Sequence, residues 1–431
     1  MRSRSGPRIL SSGPPAIDSE CGDGGGSGPE HPENSARLVL AETRQKRYVP
    51  ARFSGTSCSR SRPLELPTSH QVPVTWLREH ACAPIRWRTV TDILPPGAAS
   101  PADIEALAAE VNDYKRVTLT IRKQKASGLW AGNILGLAPA KAQGIKDVGT
   151  VSQYRHLVEL GVPNGDRALR LAERVLFRLL SRDDDPTLRF EYQKAAKTNE
   201  ALGLWAREMF AEAATAALAH GGHTGDPRVR GAAHRIASKV SQFLRSELAE
   251  KPILRKGSRN ILHPEAHPPT IFSVAVIAYM PGLQRERAGF LERLGNYLGQ
   301  PATKRTYVIQ IGRKVIKPAF HVLGDPIRTD STGFPKDLPL ALHWIELLVR
   351  MGMLDAAPTA QRVVCRLLRD CDDRGVWSPK NLRSMPKSSS KLADFAFPLE
   401  SDAAKGEQRQ VDVTFRLAHI AKLAGWTLTY T

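Results

Sequence analysis

Carboxylates crowd together at Asp370-Cys371-Asp372-Asp373. A tight cluster of like charges such as Asp370, Asp372 and Asp373 can keep one member protonated. The string also lies between Arg369 and Arg374 at the end of an apolar helical stretch, where an acidic helix end is equally an ordinary charge-balanced turn. A second acidic knot, Arg182-Asp183-Asp184-Asp185-Pro186, reads either as a divalent-cation site or as a helix cap followed by a turn. His263-Pro264-Glu265-Ala266-His267 carries two imidazoles and a carboxylate within five residues, a composition that suits a metal. Pro264 and the Pro268-Pro269 pair make that segment extended, so its rings need not converge, and no metal is expected there.

Cations form the other chemical sets. Lys194 and Lys197 stand one helical turn apart, and Arg235, Lys239, Gln242 and Arg245 recur at spacings of four, three and three on one helical face. In Lys256-Gly257-Ser258-Arg259 the glycine would let a backbone approach a phosphate closely. Lys380, Arg383, Lys387 and Lys391 add a loop-borne set beside Ser388–Ser390. Turned into a cavity, Lys194, Lys197, Arg235, Lys239, Arg245, Lys256, Arg259, His263 and His267 would clamp an anionic head beside an apolar wall. Turned outward, they are a solvated stripe.

The common cofactor signatures are missing. No phosphate-loop string, no Gly-x-Gly-x-x-Gly after a strand, no Gly-x-Ser-x-Gly elbow and no His-Glu-x-x-His occurs, so no cofactor is expected. The formal net charge of +19 favours an anionic partner: a phosphorylated small molecule, a nucleic acid or an acidic protein. Residues 1–70 hold ten Lys/Arg against seven Asp/Glu, so roughly +16 of that excess lies in the rest of the chain. No apolar run approaches the ~20 residues of a membrane-spanning helix, and the arginine-rich start leads into no apolar stretch, so neither a span nor a secretory signal is expected. Five scattered cysteines read as reduced thiols, which suits the cytoplasm.

Helices must position these groups. Residues 1–72, with Pro14-Pro15 and a Gly22–Pro29 run, show no sustained period and read as a disordered or low-complexity extension. From residue 73 to 431 the chain reads as one all-α domain. Apolar residues recur at helical spacing in 102–125, 167–180, 202–219, 229–249 and 360–368, and only Thr306–Ile311 alternates like a strand, as one arm of a hairpin. Asp147–Gly161, Asp337–Gly352 and Asp412–Gly425 each open on aspartate and close on glycine, the pattern of a capped helix. Repeated capped helices imply stacked pairs.

Two strings tie the pairs together. Gln124, Gly128 and Trp130 stand in the order Gln-x-x-x-Gly-x-Trp, and Gly375-x-Trp377 repeats it with Cys371 in place of glutamine. A helix ending at the glycine lets the tryptophan fold back over the final turn while the glutamine amide bonds free backbone groups. This resembles the Gln-Trp repeat of the α/α-toroid superfamily, which includes terpenoid cyclases and the β-subunits of protein prenyltransferases. Trp76–Leu94 is similar to the entry helix of bacterial proteins assigned to that fold. The resemblance implies a ring of inner helices surrounded by outer ones around a central cavity.

The same resemblance makes Asp370, Asp372 and Asp373 the candidate catalytic acids and implies that the middle acid of Asp370-Cys371-Asp372-Asp373 protonates an alkene or epoxide. Here, however, Arg374-Gly375 follows where the family has small hydroxylated residues. The prenyltransferase zinc site is not matched, because the Asp-x-Cys order and a downstream histidine motif are both missing. The expectation is a terpenoid-cyclase-like or prenyltransferase-like toroid that binds an apolar, isoprenoid-type ligand with an anionic head. The alternative is a noncatalytic helical-repeat protein that grips nucleic acid or an acidic partner by a basic face.

Overall fold

Pro73, its φ fixed by the ring, joins the first strand to the first helix, and from there helix follows helix. The structure is a computed structural model. It describes residues 65–136, 149–181, 185–318, 320–380, 397–400 and 406–431, all within one compact unit, Arg62–Thr431. Most of the extension, Asp147, Arg182–Asp184, and Arg383, Lys387 and Lys391 with their serines lie outside the described residues.

In chain order come β1 (Ser69–Val72), α1 (Val74–His80) and α2 (Ala83–Arg88), which runs into a π-helical turn at Thr89–Ile93. Next are α3 (Pro101–Asp113), α4 (Lys115–Arg122), α5 (Thr150–Glu159) and α6 (Arg167–Arg178). A 3-10 turn at Pro186–Tyr192 leads to α7 (Gln193–Ala196), α8 (Glu200–His220) and α9 (Pro227–Arg245). A hairpin of β2 (Ile253–Lys256) and β3 (Arg259–Leu262) precedes α10 (Ile271–Tyr279), α11 (Pro281–Arg285) and α12 (Ala288–Leu298). A second hairpin, β4 (Ile309–Ile311) with β5 (Lys314–Ile316), precedes α13 (Leu338–Arg350), α14 (Pro358–Leu368), α15 (Gly406–Leu423) and β6 (Thr427–Tyr430). The fold is mostly α.

Local chemistry sets the helix starts. Ser100 and Asp103 form a capping box on α3, and Asp166, Asn199 and Asp226 accept the free amides of α6, α8 and α9. Asp337 accepts from the Leu340 amide at 3.0 Å, as its spacing predicts. Asp412 departs from that pattern. α15 begins earlier, at Gly406, so Asp412 lies inside the helix, buried, and takes the Leu399 amide at 2.7 Å. Gly161, Gly352 and Gly425 all adopt the left-handed conformation that the three segments require. The 102–125 stretch breaks into α3 and α4 at Tyr114, whose backbone is extended.

Composition assigns residues 69–72 to the extension, but they form β1, which pairs in parallel with β6 from Ser69↔Thr427 to Val72↔Tyr430. The Lys256–Arg259 segment is the exposed turn of the β2–β3 hairpin, not a phosphate-cradling loop at a helix. Thr306–Ile311 does supply a hairpin arm through β4.

Five helices carry the core in sequence: α5 packs on α8, α8 on α10, α10 on α13 and α13 on α15. All nine residues of α10 and eleven of α13 are buried, including His343 and Glu346, as expected of helices enclosed on every side. The more amphipathic α6, α9 and α14 pack against this row from outside. α15 also touches α1, β1 and the π turn.

The first tryptophan string acts as the sequence predicts, and the second shares its backbone bond. Trp130 is fully buried, its indole N–H donating to Thr120 O at 2.8 Å, while the Gln124 amide donates to Gly128 O and to Ala168 O at the start of α6. The Trp130 backbone N–H donates to Thr150 Oγ1 on α5 at 3.2 Å, and that of Trp377, also fully buried, to Thr414 Oγ1 on α15 at 3.0 Å. The two staples thus repeat one geometry. Gly128 and Gly375 both take positive φ, and a Cβ on either would collide with a backbone carbonyl, of Leu171 or Gln71.

Candidate functional site

Six helical segments meet at one buried cluster of charges. Glu159, at the end of α5, accepts from Arg88 at 2.7 Å, from Arg416 of α15 at 3.3 Å and pairs with His220 of α8 at 3.3 Å. Glu346 of α13 pairs with Arg350 at 2.9 Å and Arg416 at 3.5 Å, and Arg88 also holds Asp92 at 2.7 Å. Arg88 lies over Phe415 and Arg350 over Tyr279. Burial alone would raise the Glu159 carboxyl, but Arg416 and Arg88 bring it well below the usual carboxylate range. Arg350 does the same against burial at Glu346. Burial lowers the histidines: His156 and His343 to about 3, with His220 and His419 shifted in the same direction. They are uncharged at neutral pH.

Among the described residues the space beside this cluster is small. The cavity beside it, lined by Glu159, His343, Phe397, Asp412 and Arg416, measures about 10 Å³, space for about one water. The charged side chains of the cluster lie where α5, α8, α13 and α15 approach one another. With carboxylates ionised and paired and histidines neutral, the cluster is a structural joint.

A separate hollow lies between α8 and α9, a groove of about 380 Å³ bordered by His267, Pro268, Thr270 and His321. Trp205, Met209, Ile236 and Val240 make its apolar wall. Glu212 accepts the Thr270 hydroxyl at 2.8 Å, and burial raises its carboxyl above the ordinary value against that bond. Burial pushes the His321 ring down to about 4, with His267 adding to the effect, and its Nδ1 has no partner among the described residues. At the rim Lys239 is paired with Glu208 at 3.0 Å, whereas Arg235 has no acidic partner among the described residues. The groove therefore offers an apolar wall, hydrogen-bonding groups at depth and a guanidinium at the edge.

Of the nine expected ligand-binding residues, the structure brings Arg235, Lys239 and His267 together. Lys194 and Lys197 are exposed on and just after α7. Arg245 turns back to the Ser241 carbonyl, since its position on α9 lies beyond the groove. Lys256 and Arg259 stand on the β2–β3 turn, and His263 accepts the Glu265 amide in a local turn. Asp370, Asp372 and Asp373 follow α14 in a turn. Asp372 accepts the amides of Arg374 at 3.0 Å and Val376 at 2.9 Å, Asp370 pairs with Arg366, and Asp373 is exposed. These carboxylates hold a turn, and none lines the groove or the central cavity. Asp185 likewise caps its turn, accepting the Thr187 amide at 2.8 Å.

Sequence reasoning passes over Trp205, Glu212 and His321. Trp205, Glu208 and Glu212 do stand three and four residues apart on α8, a readable signal for one helical face; His321 carries none. Among the described residues no group of three His, Cys, Asp or Glu is placed to hold a metal ion, and no helix is long and apolar enough to cross a membrane. Comparison with protein-family models, curated proteins and solved structures finds no match.

Proposed function

We propose that the chain is a closed helical ring of the α/α-toroid type that binds a small molecule with an apolar, isoprenoid-like body and an anionic head in the groove between α8 and α9. Ring closure is supported by Glu159, on the first of the five core helices, meeting Arg416 on the last, with the same two helices bearing the two tryptophan staples. The binding reading moves the ligand away from the charged cluster. One observation carries it: the Arg235 guanidinium stands without an acidic partner among the described residues, at the rim of an apolar groove large enough for such a molecule.

Farnesyl diphosphate, farnesol and inorganic diphosphate, each titrated calorimetrically into the protein, provide the test. Farnesyl diphosphate should bind more tightly than either part alone. Arg235→Ala should weaken it by about 10-fold or more, the value of a charge-assisted hydrogen bond. Absence of binding at millimolar ligand, or an affinity unchanged by Arg235→Ala, would overturn the reading.

A further inference from the structure

The cations left outside the groove gather where two hairpins meet. Residues 251–264 and 293–324 together contain ten Lys or Arg and no Asp or Glu. The fold joins these two segments. The Leu262 amide donates to Val308 O at 2.9 Å, the Val308 amide to Asn260 O at 3.0 Å, and the Asn260 side chain to Thr306 O at 3.1 Å. β3 and the chain entering β4 run parallel there, so the turn between β2 and β3 stands beside residues 304–306. Lys317, one residue past the Ile309↔Ile316 pair, falls at the same end.

Arg255, Lys256, Arg259, Lys304, Arg305 and Lys317 are therefore collected at one end of a small four-stranded surface. All six are exposed, and none forms an ion pair among the described residues. Lys256 and Arg259 are direct cross-strand partners, an arrangement in which like charges repel. The fold gathers these cations and, among the described residues, sets no carboxylate against them.

We infer that this paired-hairpin face binds the phosphate backbone of nucleic acid without regard to sequence. A repeating anion answers a set of cations fixed on neighbouring strands, and each neutralised phosphate releases a condensed counterion. A nucleic acid fits better than a lipid surface because the face carries no exposed Trp or Phe to insert; Val315 is its one exposed large hydrophobic side chain. None of the six cations lines the α8–α9 groove, so this surface is independent of the ligand reading.

Fluorescence anisotropy with labelled 20-base-pair DNA and 20-nucleotide RNA, across a series of salt concentrations, tests it. Affinity should fall steeply with salt. The variant Lys256→Ser/Arg259→Ser/Lys304→Ser/Arg305→Ser should flatten the log–log slope by about 3 to 4, the share of four phosphate contacts. Lys304→Glu/Arg305→Glu, which leaves the hairpin turn intact, provides a second variant should the first fail to fold, and it should weaken binding at low salt at least 10-fold. No binding at low salt, or a slope unchanged in folded variants, overturns the inference. Binding to phosphatidylserine vesicles but to neither oligonucleotide also overturns it, in favour of a membrane surface.

Discussion

Lowering the pH from 7 to 5 should remove a large part of this protein's stability, and the buried histidines set the amount. His343 is almost fully buried, and its ring is pushed down to about 3. His156 lies at about 3, and His70 and His321 at about 4, all through burial. In the unfolded chain each would take a proton near pH 6.5; in the folded protein each refuses it. Folding therefore loses nothing at these sites above pH 6.5, and below it loses about 1.4 kcal/mol per pH unit per histidine until the folded value is reached. At pH 5 that is about 2 kcal/mol each, or about 8 kcal/mol for the four. Asp325, raised to about 6 by burial, takes up a proton on folding over the same range and returns about 1 kcal/mol. Glu212 and Asp412, also raised by burial, act in its direction. Glu159 and Glu346, held below the usual range, surrender stability only as the pH falls further, through the ordinary carboxylate values. The net loss is a large fraction of the roughly 5–15 kcal/mol that stabilises a domain. Urea unfolding followed by far-ultraviolet circular dichroism at pH 7 and pH 5, at constant ionic strength, measures it. His343→Gln should shrink the difference by about 2 kcal/mol. Equal stability at the two pH values would refute the reasoning, as would a His343→Gln protein with an undiminished pH dependence.

Two further substitutions probe the joints of the fold. Glu159→Gln leaves Arg88 and Arg416 buried with less negative charge and should cost about 3–5 kcal/mol, whereas Glu208→Gln, in the exposed pair with Lys239, should cost under about 1 kcal/mol; equal losses by urea denaturation would contradict the structural role of the cluster. Trp130→Phe removes an indole N–H that satisfies Thr120 O, while the Trp377 indole N–H has no partner among the described residues, so Trp130→Phe should be the more destabilising by about 1–2 kcal/mol in thermal melts.

The helices and staples were legible because their causes are local. A 3–4 apolar period, an N-cap aspartate such as Asp337 and a glycine forced to positive φ each act within a turn or two of chain. Asp412 shows the limit: the same residue type sits inside α15 because its helix starts earlier, and its carboxylate serves Leu399 instead. The ion cluster was hidden for a related reason. Arg88, Glu159 and Arg416 look like ordinary polar positions on amphipathic stretches, and only the approach of α2, α5 and α15 buries them together. Glu346 gave one clue, a carboxylate inside the Leu338–Val349 run, which is apolar but for it and His343. In the groove, Arg235 and Lys239 were readable from their spacing, but His321 arrives from a distant loop that no periodicity announces. The hydrogen bonds of the acidic string at Asp370 were not legible either, because composition does not say which backbone amides a carboxylate such as Asp372 will accept.

The pairing of β1 with β6 also has a mechanical consequence. The strands run in the same direction, and the Thr427 amide bonds to Thr68 O at 2.8 Å while the Thr431 amide bonds to Val72 O at 3.0 Å. Force drawn between Glu65 and Thr431 would slide the two strands lengthwise past each other. The rungs would be loaded all at once in shear, not peeled one after another, so this short seam would resist tension along the chain more stubbornly than its four-residue length suggests.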